Sequence, residues 1–247
     1  MLKKYFKQIF IMIFLIFSVV LTAEDNFMAV GNIKIVRPEP LLIKREDLNI
    51  IIEKDNTIKV ESMYTFSNLG EYNIKSTFMF WLDQTRENDN KDLNNSNKNN
   101  KGKYIKNIKF YSDYKKSQNL RAVIKFDENI YENQSVGNIQ REWFAISKVI
   151  PSKEEGRLGV YYDLQNTGFN KTKKFVYSFD LVSNFSEKNK VEILYVNVYN
   201  KSGRKIDSIV YKDYEFKNLT GKKSDKEHYE LLVANVNLDE KLVINFK

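Results

Sequence analysis

The sequence predicts an all-β protein, an antiparallel β-sandwich in two sandwich units behind an N-terminal export signal. Three observations carry this. Apolar and polar residues alternate with period two: Ile58, Val60, Tyr64 and Phe66 share one parity, while Thr57, Lys59, Glu61 and Thr65 hold the other. That is the pattern of a half-buried strand. Short polar turns such as Ser67-Asn68-Leu69-Gly70 and Asn200-Lys201-Ser202-Gly203 separate these runs, and many short strands between turns point to a sandwich. No amphipathic helix of three or more turns stands out beyond residue 23.

Residues 1–23 come first. Lys3, Lys4 and Lys7 form a basic start, residues 9–21 form an apolar run broken only by Ser18, and Ala23 precedes Glu24 and Asp25. This is the pattern of a cleaved secretory signal. The run falls short of the roughly 20 residues that a spanning helix needs. Leu21, three residues before the expected cut, is a poor match, so an uncleaved anchor is the alternative. The expected address is periplasmic or secreted, with membrane contact only through this segment if it is retained.

Residues 32–36 and 41–44 read as short strands around Pro38 and Pro40, which cannot donate to a ladder. Residues 48–83 read as three consecutive antiparallel strands with a tight turn at Asp55-Asn56. Residues 84–103 are rich in Asn and Lys and read as a disordered surface insertion. Asp89 and Asp92 could offer oxygen to calcium, but the alternating ligands, glycine and distal Glu of a calcium loop are missing. Strands resume at 104–111 and 120–126, while 128–137 fits either a loop or a short helical turn. Residues 142–150 and 157–164 read as a hairpin joined at Pro151. Residues 165–174 are the expected linker between a first unit at 24–164 and a second at 175–247, the second being a separate sandwich or a continuation of the first. Further strands are expected at 175–181, 190–199, 205–211, 228–236 and 241–246.

Composition narrows the chemistry. At 247 residues and 42% hydrophobic, the chain has material for a substantial core. It has no cysteine, so disulfides, thiolate metal sites and cysteine nucleophiles are excluded. Its one histidine, His228, excludes multi-histidine metal sites, and no metal or cofactor is expected. The net charge of +8 comes from lysines scattered among acids, a solvated surface rather than the compact basic stripe that grips nucleic acid.

The motifs weigh little. Gly221-Lys222-Lys223-Ser224 lacks the earlier glycine of a phosphate loop. His228 reads as a polar residue at a strand start. Glu142 beside Trp143, with Asp163 on the next expected strand, is the one carboxylate pair worth naming for glycoside hydrolysis. The aromatics Trp81, Trp143, Tyr161 and Tyr162 lie on expected strands, where such rings can stack on sugars or anchor partner proteins. Trp81, Trp143 and Tyr161 form the candidate binding surface, with burial beneath a second layer as the competing reading.

One resemblance follows from these residues. Phe66 and Asn68 end one strand, and Phe80, Leu82 and Asp83 end the next. Trp143 and Phe144 lead to Pro151, Glu154 and Glu155, and a further strand reaches Tyr161 and Tyr162. The arrangement, over residues 46–181, resembles a family of exported bacterial proteins classed only as a domain of unknown function. This chain departs from it by the Asn-rich insertion. The resemblance implies a periplasmic or secreted β-sandwich without catalytic residues. The expectation is a non-enzymatic binding or structural module of the cell envelope, with an envelope protein or a glycan as partner. The alternatives are a carboxylate-dependent glycan hydrolase and a small outer-membrane β-barrel.

Overall fold

The fold is described from a computed structural model. It describes residues 30–35, 39–85, 105–113, 119–120, 124–133, 137–164, 173–179, 190–221 and 226–247. The expected export signal, Asp89 and Asp92, and most of the expected insertion and linker lie outside these residues.

Every regular element among the described residues is a strand. They are β1 (Val30–Ile35), β2 (Leu41–Ile52), β3 (Ile58–Asn68), β4 (Ile74–Thr85), β5 (Ile105–Tyr111), β6 (Asn119–Leu120), β7 (Ile124–Asn133) and β8 (Gly137–Ile150). Then follow β9 (Glu155–Leu164), β10 (Lys174–Ser178), β11 (Lys190–Asn200), β12 (Ile206–Val210), β13 (Lys217–Asn218), β14 (Glu227–Asn237) and β15 (Lys241–Phe246). The all-β expectation holds. The undecided stretch 128–137 is strand at both ends, within β7 and at the start of β8.

The strands form an eight-stranded sheet in the order β13-β14-β11-β2-β3-β9-β5-β6, a four-stranded sheet β1-β4-β8-β7 and a three-stranded sheet β10-β15-β12. Pairing is antiparallel except where β11 lies parallel to β2.

The alternation read along β3 is observed from Ile58 to Glu61, but beyond it Met63 and Thr65, of the other parity, are buried as well. Ile58, Val60, Tyr64 and Phe66 are buried on one face. The gap in that series is Ser62, also buried, whose hydroxyl donates to buried Glu46 at 2.9 Å. The β2–β3 turn forms as expected: Asn56 takes φ +66°, the Asn56 N–H reaches the Glu53 carbonyl at 3.1 Å, and the Thr57 N–H reaches the Asp55 carboxylate at 3.0 Å. Asn tolerates this left-handed geometry better than most residues.

Two expected pairings are corrected. Residues 48–83 are not three neighbouring strands, because β4 joins β1 and β8 in another sheet. The two edges of β3 are already bonded to β2 and β9, so β4 has no ladder to join there. It meets β3 through side chains instead, with the Phe66 and Phe78 rings 4.7 Å apart. Likewise β8 and β9 are not a hairpin but belong to different sheets. Phe80 makes the matching contacts, 5.4 Å from Tyr162 and 6.4 Å from Phe110.

Among the described residues, those before and after the 165–174 segment share one core. One buried cluster runs from Ile43 through Phe66, Phe175 and Val196 to Phe246. The reason is that β11 pairs with the otherwise open edge of β2, which places both in one sheet.

At the centre of this core, Tyr64, Tyr162 and Tyr177 are fully enclosed. Burial pushes all three hydroxyls well above the ordinary tyrosine range, and the nearby Glu46 carboxylate adds to the effect.

Candidate functional site

The three candidate aromatics do not share a sheet. Trp81 on β4 stands directly opposite Trp143 on β8, with Phe126 of β7 opposite Trp143 in turn. Tyr161 lies on β9, in the eight-stranded sheet. Glu142 and Asp163 are separated in the same way: Glu142 is opposite Leu82 and Asp127, while Asp163 is opposite Lys59 and Lys106. The expectation that these acids sit on neighbouring strands is corrected, because the chain changes sheet between them.

Around Tyr161 the register gathers a distinct surface. Glu61, Tyr161 and Lys109 stand in line across β3, β9 and β5. Lys59 and Asp163 form the next row, and Met63, Gly159 and Tyr111 the row on the other side. These residues have the opposite parity to the buried Val60, Tyr162 and Leu164, so they occupy the outer face. Lys59, Glu61, Lys109, Tyr111, Tyr161 and Asp163 line an open depression of about 300 Å³ there.

Gly159 shapes its floor. A methyl group at that position would lie 2.6 Å from Tyr161 Cε2 and 2.6 Å from Met63 Cε. The bare backbone therefore leaves the room that the Tyr161 ring uses beside it. Tyr111 meets Tyr161 at a centroid distance of 5.1 Å and 81°, the edge-to-face geometry that ring quadrupoles favour. The two half-buried rings form a fixed aromatic corner.

Charge surrounds the corner in both signs. Lys59 bonds Glu53 at 3.0 Å. That hydrogen bond and the Glu53 charge raise the Lys59 ammonium above its ordinary range. Burial works to push the Glu53 carboxyl up, but the Lys59 hydrogen bond and the Lys201 and Lys59 charges outweigh it and hold the group below the usual carboxylate range. The surface thus joins apolar ring area to charged donors and acceptors, an arrangement that suits a polar ligand with one apolar face.

A second polar group lies on the same outer face. Tyr195 donates to Glu230 at 2.6 Å, and Arg45 pairs with Asp47 at 2.7 Å and lies 5.6 Å from the centre of the Tyr195 ring. His228 stacks on Tyr199 at 4.3 Å, and its Nε2 faces the Asn197 side-chain oxygen at 3.0 Å. Asn197 is thus the partner of the one histidine.

Sequence reasoning named Tyr161 and Asp163 but missed Tyr111, Lys59, Glu61 and Lys109. The available signal was local. Tyr161 and Asp163 flank buried Tyr162 at strand spacing, and Lys109 and Tyr111 flank Phe110 in the same way. Which strands lie side by side was the missing information.

No protein-family model and no curated protein matches the chain. Among solved structures it is similar to a protein from Legionella pneumophila subsp. pneumophila str. Philadelphia 1, provisionally named as nutrient binding. The identity is 11%, covering 90% of this chain and 72% of that one, with a TM-score of 0.59. It also matches an M1 zinc metallopeptidase from Deinococcus radiodurans at 11% identity, 87% of this chain, 43% of that one and a TM-score of 0.45. A provisionally named protease from Parabacteroides distasonis matches at 6%, 84%, 40% and 0.42. The chain spans less than half the length of either of these two. The likeness to the Legionella protein is one of fold: a β-rich chain of several sheets.

Proposed function

We propose that this chain is a non-catalytic binding module of the bacterial cell envelope, a β-sandwich that takes a glycan on the outer face around Tyr161. The observation that carries the reading is the Tyr111–Tyr161 corner beside Gly159, framed by Lys59, Glu61, Lys109 and Asp163. Sugar rings offer an apolar C–H face and a rim of hydroxyls, and this surface offers ring area beside charged hydrogen-bonding groups. The name of the Legionella protein, as a nutrient-binding protein, is compatible with a binding role. Export rests on the residue 1–23 pattern, and the family resemblance on residues such as Asn68 and Pro151.

A hydrolase using Glu142 and Asp163 loses its main support, because the two stand in different sheets. The barrel reading also fits less well. The outer face of the eight-stranded sheet carries Lys59, Glu61, Lys109 and Asp163, where a membrane barrel would present apolar residues to lipid.

The test is co-sedimentation of the purified protein with peptidoglycan and with insoluble polysaccharides, run beside Tyr161→Ala and Tyr111→Ala. Retention by at least one glycan, lost in both variants, is expected. No retention by any glycan, or retention unchanged in the variants, would overturn the reading. Sequencing the N-terminus of the cell-expressed protein tests export: a start at Glu24 is expected, and a start at Met1 in the cytosol contradicts it.

A further inference from the structure

A second depression, of about 340 Å³, lies between β12, the 211–216 turn and β14. Its charged lining is entirely acidic: Asp207, Asp213 and Glu215, with no lysine or arginine among the residues that line it. Tyr214, Phe216 and Tyr229, all half-buried, supply aromatic walls. The whole chain carries 40 Lys and Arg against 32 Asp and Glu, so an acid-lined hollow runs against its overall charge.

The walls are held from the core. Tyr211 is fully buried, with its ring 4.7 Å from Phe179 and 5.9 Å from Tyr214. Lys212 then takes φ +48°, and the Tyr214 N–H returns to the Tyr211 carbonyl at 3.2 Å. This tight turn sets Asp213, Tyr214, Glu215 and Phe216 at the rim. On the other side, Glu227 accepts from the Ile206 N–H at 2.9 Å and from Asn200 at 2.6 Å, which fixes the start of β12 beside β14. Lys247 stands 3.7 Å from Asp207, with both side chains more than half exposed, and Lys212, next to Asp213 in the chain, pairs with Asp239.

Such a site suits one kind of ligand. Aromatic faces attract cations through their quadrupole, most strongly when carboxylates add field and part of the water is excluded. Among the described residues no three acidic or histidine groups converge closely enough to hold a metal ion. The carboxylates are spread around a space that suits an organic ammonium group better than a bare ion. We infer that this hollow binds an organic cation, an alkylammonium or linear polyamine, with the ammonium against Tyr214 and Phe216 and the charge met by Asp213, Glu215 and Asp207. The site is separate from the Tyr161 surface and stands or falls independently of it.

The probes are spermidine and tetramethylammonium, titrated into the full chain by calorimetry at about 0.15 M salt, where weak long-range attraction between exposed charges is screened. Saturable binding of at least one probe is expected. The Asp213→Asn, Glu215→Gln double variant should weaken it roughly tenfold or more, and Phe216→Leu should weaken it severalfold. Asp163→Asn on the other surface should leave it unchanged. Circular dichroism of each variant separates lost binding from lost fold, and the exposed carboxylate-to-amide changes leave the core untouched. No saturable binding of either probe would overturn the inference. So would equal affinity in the double variant, or magnesium competing at the probes' own concentration.

Discussion

The side-chain amide of Asn68 donates to the Pro151 carbonyl at 3.0 Å, joining two of the places where the chain changes sheet. The same nitrogen reaches the Ile150 carbonyl at 3.1 Å and the Tyr72 carbonyl at 2.8 Å, while its oxygen accepts from the Gly70 N–H at 2.8 Å. Around it, Ser152 donates to the Gly70 carbonyl at 3.0 Å and Lys153 to the Leu69 carbonyl at 3.0 Å. The β3–β4 and β8–β9 connections are therefore clasped together rather than independent.

Removing that clasp should be costly. Each net hydrogen bond contributes about 1 kcal/mol, and buried carbonyls left unmatched cost more. Asn68→Ala should lower unfolding free energy by about 2–4 kcal/mol in urea titration. Asn68→Asp should fare no better, since a carboxylate cannot donate to the three carbonyls. A loss under about 0.5 kcal/mol would contradict the clasp.

The Ser62–Glu46 bond makes a second prediction. Both groups are buried, and the hydroxyl supplies a donor to a carboxyl that has left water. Ser62→Ala should destabilise by about 1–3 kcal/mol in the same assay, because a buried acceptor loses its donor.

Gly159 tests the shape of the aromatic corner. Gly159→Ala brings a methyl within 2.6 Å of Met63 Cε and Tyr161 Cε2. Met63 is flexible and can give way, whereas the Tyr161 ring must swing. The expected cost is about 1–2 kcal/mol of stability, accompanied by altered near-ultraviolet circular dichroism as the ring leaves Tyr111.

The acid side of the stability profile should carry a small contribution from Glu53. Its carboxyl is held below the ordinary range by Lys59 and Lys201 against the pull of burial. A group depressed on folding stabilises the native state above its unfolded pKa, and that gain is lost as pH falls through the folded value. Glu53→Gln should therefore flatten the fall in stability below about pH 4.5. The difference should be no more than about 1 kcal/mol, since both lysines are partly exposed. A Glu53→Gln profile that falls as steeply as the wild type would contradict this coupling.

Much of the fold was legible in the sequence because strand parity is written residue by residue. β9, β11 and β15 lie within two residues of their expected bounds, and Ile58, Val60, Tyr64 and Phe66 of β3 are buried as their spacing predicts, although Met63 and Thr65 are buried too. Parity does not say which strand lies beside which. Phe66 and Phe78 both belong inside, and that holds equally for a hairpin and for two facing sheets. The ladders decide between them, since β4 pairs with β1 and β8 while β3 pairs with β2 and β9. Glu46 was hidden for a related reason: its donor Ser62 stands at the one gap in an apolar series, and a serine there looks like a break in the pattern. The acidic hollow was the most local of the missed features, since Asp213-Tyr214-Glu215-Phe216 alternates acid with aromatic. It was overlooked because the depression also needs Tyr229 from β14.

The most direct measurement of the central claim is a calorimetric titration of the wild type and Tyr161→Ala with the soluble form of whichever glycan retains the protein. Binding that weakens about tenfold or more in Tyr161→Ala, near 1.4 kcal/mol, with unfolding midpoint unchanged, is the result the account predicts. Equal affinity in the two proteins would contradict it and move the binding surface away from the Tyr111–Tyr161 corner.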